Sequence, residues 1–213
     1  FVDGTGDYDN DKFTIEGNNL KIDESPDYEI QSNYSIRLET TDSSGLTFEK
    51  SFTLNVNNID YAPTDIFLSA SSFNELIDKN SVVAIISSVD PDIGEEQTYE
   101  LKGGTGDTDN ALFTLDGSSL KINSSPDYET QSSYSIRLKT TDNGDLTYEE
   151  EFTFDVNDIN EVATDISLSS TSFNENIAEG STVATLSTTD EDAVDSHTYS
   201  LVSGAGDTDN ALF

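Results

Sequence analysis

Carboxylates recur along this chain at fixed places. Asn74-Glu75, Asp90-Pro91-Asp92, Asp127-Tyr128-Glu129, Asp142 and Asp158-Ile159-Asn160-Glu161 fall in order within one stretch, and Asp27, Glu29, Asp42, Asn58 and Asp60 precede it in the same spacing. Asn174-Glu175, Asp190 and Asp192 follow it. So many like charges repel one another unless a cation shares them. The chain has no Cys and a single His, so thiolate zinc and copper sites lack their ligands. Hard oxygen donors remain, and Ca2+ is the ion that takes about six to eight oxygens from mixed carboxylate, amide and backbone carbonyl groups. Catalysis finds no comparable constellation. No nucleophile–base pair stands out, and His197, which replaces Gln97 of the preceding copy, reads as a surface histidine.

Strands must hold these groups. In residues 133–141, Tyr134, Ile136 and Leu138 share one side while Ser135, Arg137 and Lys139 share the other. That alternation predicts a strand with one buried face. Residues 64–69, 81–88 and 98–102 read as strands too, and 112–116 with 119–123 as a hairpin about Gly117. Leu146, Tyr148, Phe152, Phe154 and Val156 share a face on a last long strand. Glu150 falls in that inward phase, where the preceding copy has Lys50, and this predicts a bulge or the end of the sheet there. Asp107-Thr108-Asp109-Asn110 reads as an Asx-rich turn in preference to an extra cation site. Seven short strands without helical periodicity predict an all-β, immunoglobulin-like Greek-key sandwich. Strand direction then gathers Glu75, Asp127, Glu129, Asp158, Asn160 and Glu161 at one pole, facing Asp190 and Asp192 of the next copy.

The copies repeat every 100 positions. Ser-Pro-Asp-Tyr-Glu stands at Ser25 and Ser125, and Gly-x-Gly-Asp-x-Asp-Asn at Gly4, Gly104 and Gly204. A period this long fits tandem domains better than solenoid turns. It divides the 213 residues into the back part of a repeat (1–62), a complete repeat (63–162) and the front part of another (163–213). Beginning at Phe1 and stopping at Phe213 in mid-repeat, the chain reads as a piece of a longer array. Neither end piece is expected to close a sandwich alone. The net charge of −34 argues against a nucleic-acid partner. No segment reads as a membrane span or membrane contact.

Together the motifs resemble the cadherin repeat, in the form found in large bacterial surface proteins. Asn74-Glu75 and Asn174-Glu175 look like the family's Pro-Glu, Asp27-Tyr28-Glu29 and Asp127-Tyr128-Glu129 like its Asp-Arg-Glu. Asp90-Pro91-Asp92 and Asp190-Glu191-Asp192 match its Asp-x-Asp, and Asp42 and Asp142 its Ala-x-Asp. The resemblance implies Ca2+ between successive repeats. The first joint would use Asp27, Glu29, Asn58, Asp60, Asp90, Asp92 and Asp142. The second would use Glu75, Asp127, Glu129, Asp158, Asn160, Glu161, Asp190 and Asp192. The linkers depart from the family pattern: both are short, and Asn58 and Tyr61 stand where the second joint has Asp158 and Glu161. The first joint is therefore expected to bind its ions less well. The resemblance implies a non-enzymatic, calcium-rigidified segment of a large extracellular or cell-surface adhesin, a spacer or an adhesive module. Its partners would be neighbouring repeats and other surface proteins or glycans. The alternative is a carbohydrate-binding sandwich attached to a secreted enzyme, against which the absence of Trp counts.

Overall fold

The computed structural model describes residues 1–212. Its first part holds β1 (Phe13–Glu16), β2 (Asn19–Ile22), β3 (Asn33–Thr41) and β4 (Thr47–Asn55). The middle part holds β5 (Asp65–Leu68), β6 (Ser72–Asn74), β7 (Val82–Val89), β8 (Thr98–Leu101), β9 (Phe113–Asp116), β10 (Ser119–Ile122), β11 (Ser133–Thr141) and β12 (Thr147–Asn157). The last part holds β13 (Asp165–Leu168) and β14 (Leu186–Thr189).

The middle strands form two four-stranded sheets, ordered β5-β7-β10-β9 and β6-β12-β11-β8. Only the β6–β12 pairing is parallel. Alternation drives this arrangement: Tyr134, Ile136, Leu138 and Thr140 of β11 and Phe154 and Val156 of β12 are buried, while the positions between them stay at least partly exposed. Ile66, Val83, Ile86, Phe113, Leu120 and Ile122 from one sheet meet Phe73, Tyr134, Ile136, Leu138, Phe154 and Val156 from the other. Four aromatics lock the middle. Phe73 and Phe154 lie 5.6 Å apart by ring centroid, and Phe113 meets Tyr134 edge-on at 5.7 Å and 88°.

Two details differ from the sequence expectation. The first strand of the sandwich is split, β5 in one sheet and β6 in the other, and a three-residue strand carries too little pattern to be read in advance. No bulge occurs at Glu150. The β11–β12 register runs unbroken from Thr147 to Asp155, with Glu150 opposite Leu138, and the irregularity lies instead between Leu120 and Lys121 where β10 meets β7. Glu150 is tolerated because it reaches across to the other sheet, where its Oε2 accepts a long bond of 3.4 Å from the Ile66 N–H. Burial first, and then Asp65 alongside, push the Glu150 carboxyl above the usual range.

The Gly-rich acidic loop is a clasp. The Asp107 carboxylate accepts from the Gly104 N–H at 3.0 Å, and Asp109 accepts from the Ser135 N–H at 2.7 Å and from Gln131 Nε2 at 2.9 Å. Asn110 Oδ1 accepts from the Arg137 N–H at 3.0 Å, pinning the loop to β11. The first part repeats this with Asp7, Asp9 and Asn10 on Gly4, Ser35 and Arg37. These oxygens are committed to N–H groups, which supports the turn reading over a cation site.

Among the described residues, neither end part closes a sandwich. In the first, β1 pairs with β2 and β3 with β4 over a small core of Phe13, Tyr34 and Ile36, leaving Ile15, Leu20, Ile22 and Phe52 exposed. In the last, β13 pairs with β14 and Ile166, Leu168 and Leu186 remain exposed.

Candidate metal centres at the joints

The split of the first strand is what positions Glu75. After β6 the chain turns through Leu76 at φ 57°, and Glu75 is drawn inside, 2% exposed. Its Oε2 accepts from the Tyr128 N–H and its Oε1 from the Ile159 N–H, each at 2.7 Å. One carboxylate thus ties the Ser-Pro-Asp-Tyr-Glu stretch, anchored by the fully buried Pro126, to the linker leaving β12. Asp127 caps its own turn, with the Thr130 hydroxyl and N–H at 2.8 and 2.9 Å. Those bonds hold its carboxyl below the usual range.

Two carboxylate trios meet at this pole. Oxygens of Glu75, Asp127 and Glu129 lie within 4.8 Å of one another, and so do those of Glu129, Asp158 and Asp192. Asp192 comes from the following copy. It is 7% exposed, and its Oδ2 accepts from the Glu161 N–H at 2.7 Å. Loss of solvation, then the neighbouring charges, raise the pKa values of Glu129 and Asp158. The same causes, with Glu75 the largest contributor among the charges, push Glu161 up to about 7.

The first joint has a matching frame. Asp92, 4% exposed, accepts from the Tyr61 N–H at 2.7 Å, as Asp192 does from Glu161. Asp90 accepts from the Asp92 N–H at 2.9 Å and from Gln97 Nε2 at 2.8 Å. Asp190 keeps the same role, with His197 Nε2 in place of the Gln97 amide, also at 2.8 Å. A third trio joins Asp60, Glu95 and Asp142 within 4.8 Å. Asp60 and Glu95 are both raised above their ordinary values, first by lost solvation and then by neighbouring carboxylates.

Three of these carboxylates carry a buried oxygen with no hydrogen-bond partner: Asp92 Oδ1, Asp142 Oδ2 and Glu161 Oε2. A desolvated, unpaired carboxylate oxygen is costly. Two of these atoms lie at the first joint and one at the second, each beside further carboxylates, an arrangement at each joint that suits a hard divalent cation. The residues present therefore fit Ca2+.

The structure brings most of the expected residues to the joints but not all of them into trios. Among the described residues, Asp27 and Glu29 join none. Asp27 accepts from the Glu29 and Ile30 N–H groups at 2.9 and 3.3 Å, and the chain contains no counterpart of Glu75 for that copy. Asn58 is exposed, and Asn160 donates to the Glu161 carbonyl at 2.8 Å. Asp90 and Asp190 brace their own loops. Glu95 is the residue that sequence reading missed. The available signal was its register: Asp195 stands in the same position of the next copy.

No family model matches the sequence, and no curated protein matches it. Solved structures do. The likeness to protocadherin gamma B2 extracellular cadherin domains 3-6 covers 88% of this chain and 47% of that one, at 18% identity and a TM-score of 0.61. Domains 1-5 of the same protein match over 81% of this chain and 34% of that one, at 20% identity and a TM-score of 0.58. Human protocadherin-24 EC1-2 matches over 74% and 80%, at 21% identity and a TM-score of 0.55. The chain thus spans about a third to a half of the gamma B2 chains it resembles. The fold and its acidic joints define a tandem β-sandwich repeat protein. Within that class, its fold is that of cadherin-like repeats.

Proposed function

We propose that this chain is a calcium-binding, calcium-rigidified segment of an extracellular surface protein, organised as units 1–62, 63–162 and 163–213. It acts as a stiff spacer or as a cell-adhesion module. The observation that carries this reading is the set of orphaned, buried carboxylate oxygens on Asp92, Asp142 and Glu161. Each lies where two copies meet, so a cation held there would cross-link them. Glu75, Asp127, Glu129, Asp158, Glu161 and Asp192 would hold it at the second joint. Asp60, Asp92 and Asp142 would do so at the first, with Asp90 bracing their loop.

The bound ion supplies the positive charge that offsets repulsion across each joint. The protein supplies the rest: Glu75 ties the second linker to its repeat through two backbone N–H groups, while Asp92 and Asp192 each tie their own copy to the linker that precedes it. With the charge balanced, the two copies move as one body. Without it, the carboxylates drive the joint open. The cadherin-like architecture supports an adhesion-type role, and no helix of the described residues is long and apolar enough to cross a membrane.

Thermal unfolding in EDTA, in millimolar Ca2+ and in matched Mg2+ tests the reading. Binding to the native state alone stabilises by about 2.7 kcal/mol at a hundred times Kd. A clear rise of Tm with Ca2+, and little with Mg2+, is expected. Coincident curves in all three conditions would reduce the joints to solvated surface.

A further inference from the structure

The two joints are not chemically equivalent, and the difference points to a compensating residue. Where the second linker has Asp158 and Glu161, the first has Asn58 and Tyr61. We propose that Glu95 makes good this loss as a direct cation ligand, completing with Asp60 and Asp142 a divalent-cation site built on the Asn143–Gly144 turn. The inference rests on the calcium reading of the joints and assigns to it a ligand outside the linker.

Four observations carry it. First, the oxygens of Asp60, Glu95 and Asp142 lie within 4.8 Å of one another. With Ca–O distances of about 2.3–2.6 Å, ligand oxygens on opposite sides of one ion stand about 4.8 Å apart, so the trio is the right size to share it. Second, Asp142 is 6% exposed and only half used. Its Oδ1 accepts from the Gly144 and Leu146 N–H groups at 2.9 and 2.8 Å, while its Oδ2 is buried without a partner. A buried carboxylate oxygen of this kind calls for a positive charge.

Third, Glu95 is braced on the same turn: its Oε2 accepts from the Asn143 N–H at 3.2 Å. The turn therefore orients two carboxylates from different loops. Fourth, the turn leaves room for the third. A Cβ at Gly144 would overlap the Asp60 carboxylate, so glycine is what lets Asp60 settle against Asp142. The preceding copy has Ser44 at that position. In the second joint the counterpart of Glu95 is Asp195, one methylene shorter, whose charge contributes to raising Asp158. The longer side chain thus accompanies the poorer linker.

The test is a Ca2+ titration of the 213-residue chain followed by amide NMR. The Asn143 and Gly144 signals report the first joint, and the Ile159 signal the second. In the unaltered chain all three are expected to shift and saturate. In Glu95→Gln, which keeps an acceptor for Asn143, the midpoint at Asn143 and Gly144 should rise about tenfold, because carboxylate number sets Ca2+ affinity. The midpoint at Ile159 should stay unchanged. Gly144→Ala, which displaces Asp60, should raise the same first-joint midpoint by another route. If Glu95→Gln titrates like the unaltered chain at Asn143 and Gly144, Glu95 is no ligand and the calcium reading of the joints stands. If none of the three signals moves in the unaltered chain, both ideas fall together.

Discussion

Glu161 makes the electrostatic state of the second joint measurable. Its carboxyl is raised from an ordinary 4.5 to about 7 by lost solvation and by Glu75, Asp192 and Glu129. Between those values the folded chain holds a proton that the unfolded chain has released. The associated stability is therefore complete below 4.5 and is lost as pH rises through about 7. Glu129 and Asp158 shift in the same direction and add to the effect. In EDTA, Tm is expected to fall between about pH 5 and pH 8. Glu161→Gln should flatten that dependence, and saturating Ca2+ should remove most of it. A Tm in EDTA that rises over this range would mean that the cluster is not strained by its own charge.

At the scale of the element, two features of the complete repeat make separate predictions. Phe154 on β12 has no exposed surface and touches Phe73 and Phe113. Phe154→Ala should cost about 3–5 kcal/mol, read from urea unfolding in saturating Ca2+. The loop clasp acts through hydrogen bonds instead of area. Asp109→Ala strips acceptors from the Ser135 N–H and the Gln131 amide, and should cost about 1–3 kcal/mol by the same measurement. It should leave the Ca2+ midpoint unchanged, because its oxygens serve β11 and not the joint. A shifted midpoint would give the loop a metal role after all.

At the scale of the whole molecule, charge and architecture act together. A net charge of −34 spread over tandem units opposes their close approach. The linkers at residues 58–62 and 158–162 contain no regular strand, so they are the places where repulsion can be relieved by bending. Limited proteolysis in EDTA should cut within these two stretches and release the middle unit. Millimolar Ca2+ should slow both cuts. Equal digestion with and without Ca2+ would show that the joints are not closed by the ion.

Much of this was legible from the residues alone. The 100-residue period, the alternation along residues 133–141 and the turn formers around Gly104 determined a tandem β-sandwich, because burial of one strand face follows directly from a period of two. Composition determined the donor type, since a chain without Cys and with one His offers little but oxygen to a metal. Other features needed the fold. The crossing of β6 to the second sheet depends on pairing with β12, which lies some eighty positions further along, and three residues hold no pattern of their own. Glu150 looked like a break in β12 because a charge in an inward phase has no sequence-visible partner; the Ile66 N–H that accommodates it belongs to the opposite sheet. Glu95 escaped notice because it belongs to none of the recurring motifs, and only packing brings it beside Asp60 and Asp142. Periodicity and composition are local sums and can be read along the chain. Which carboxylates share a space, and which oxygens lose their water there, is decided by distances that exist only once the sheets have closed.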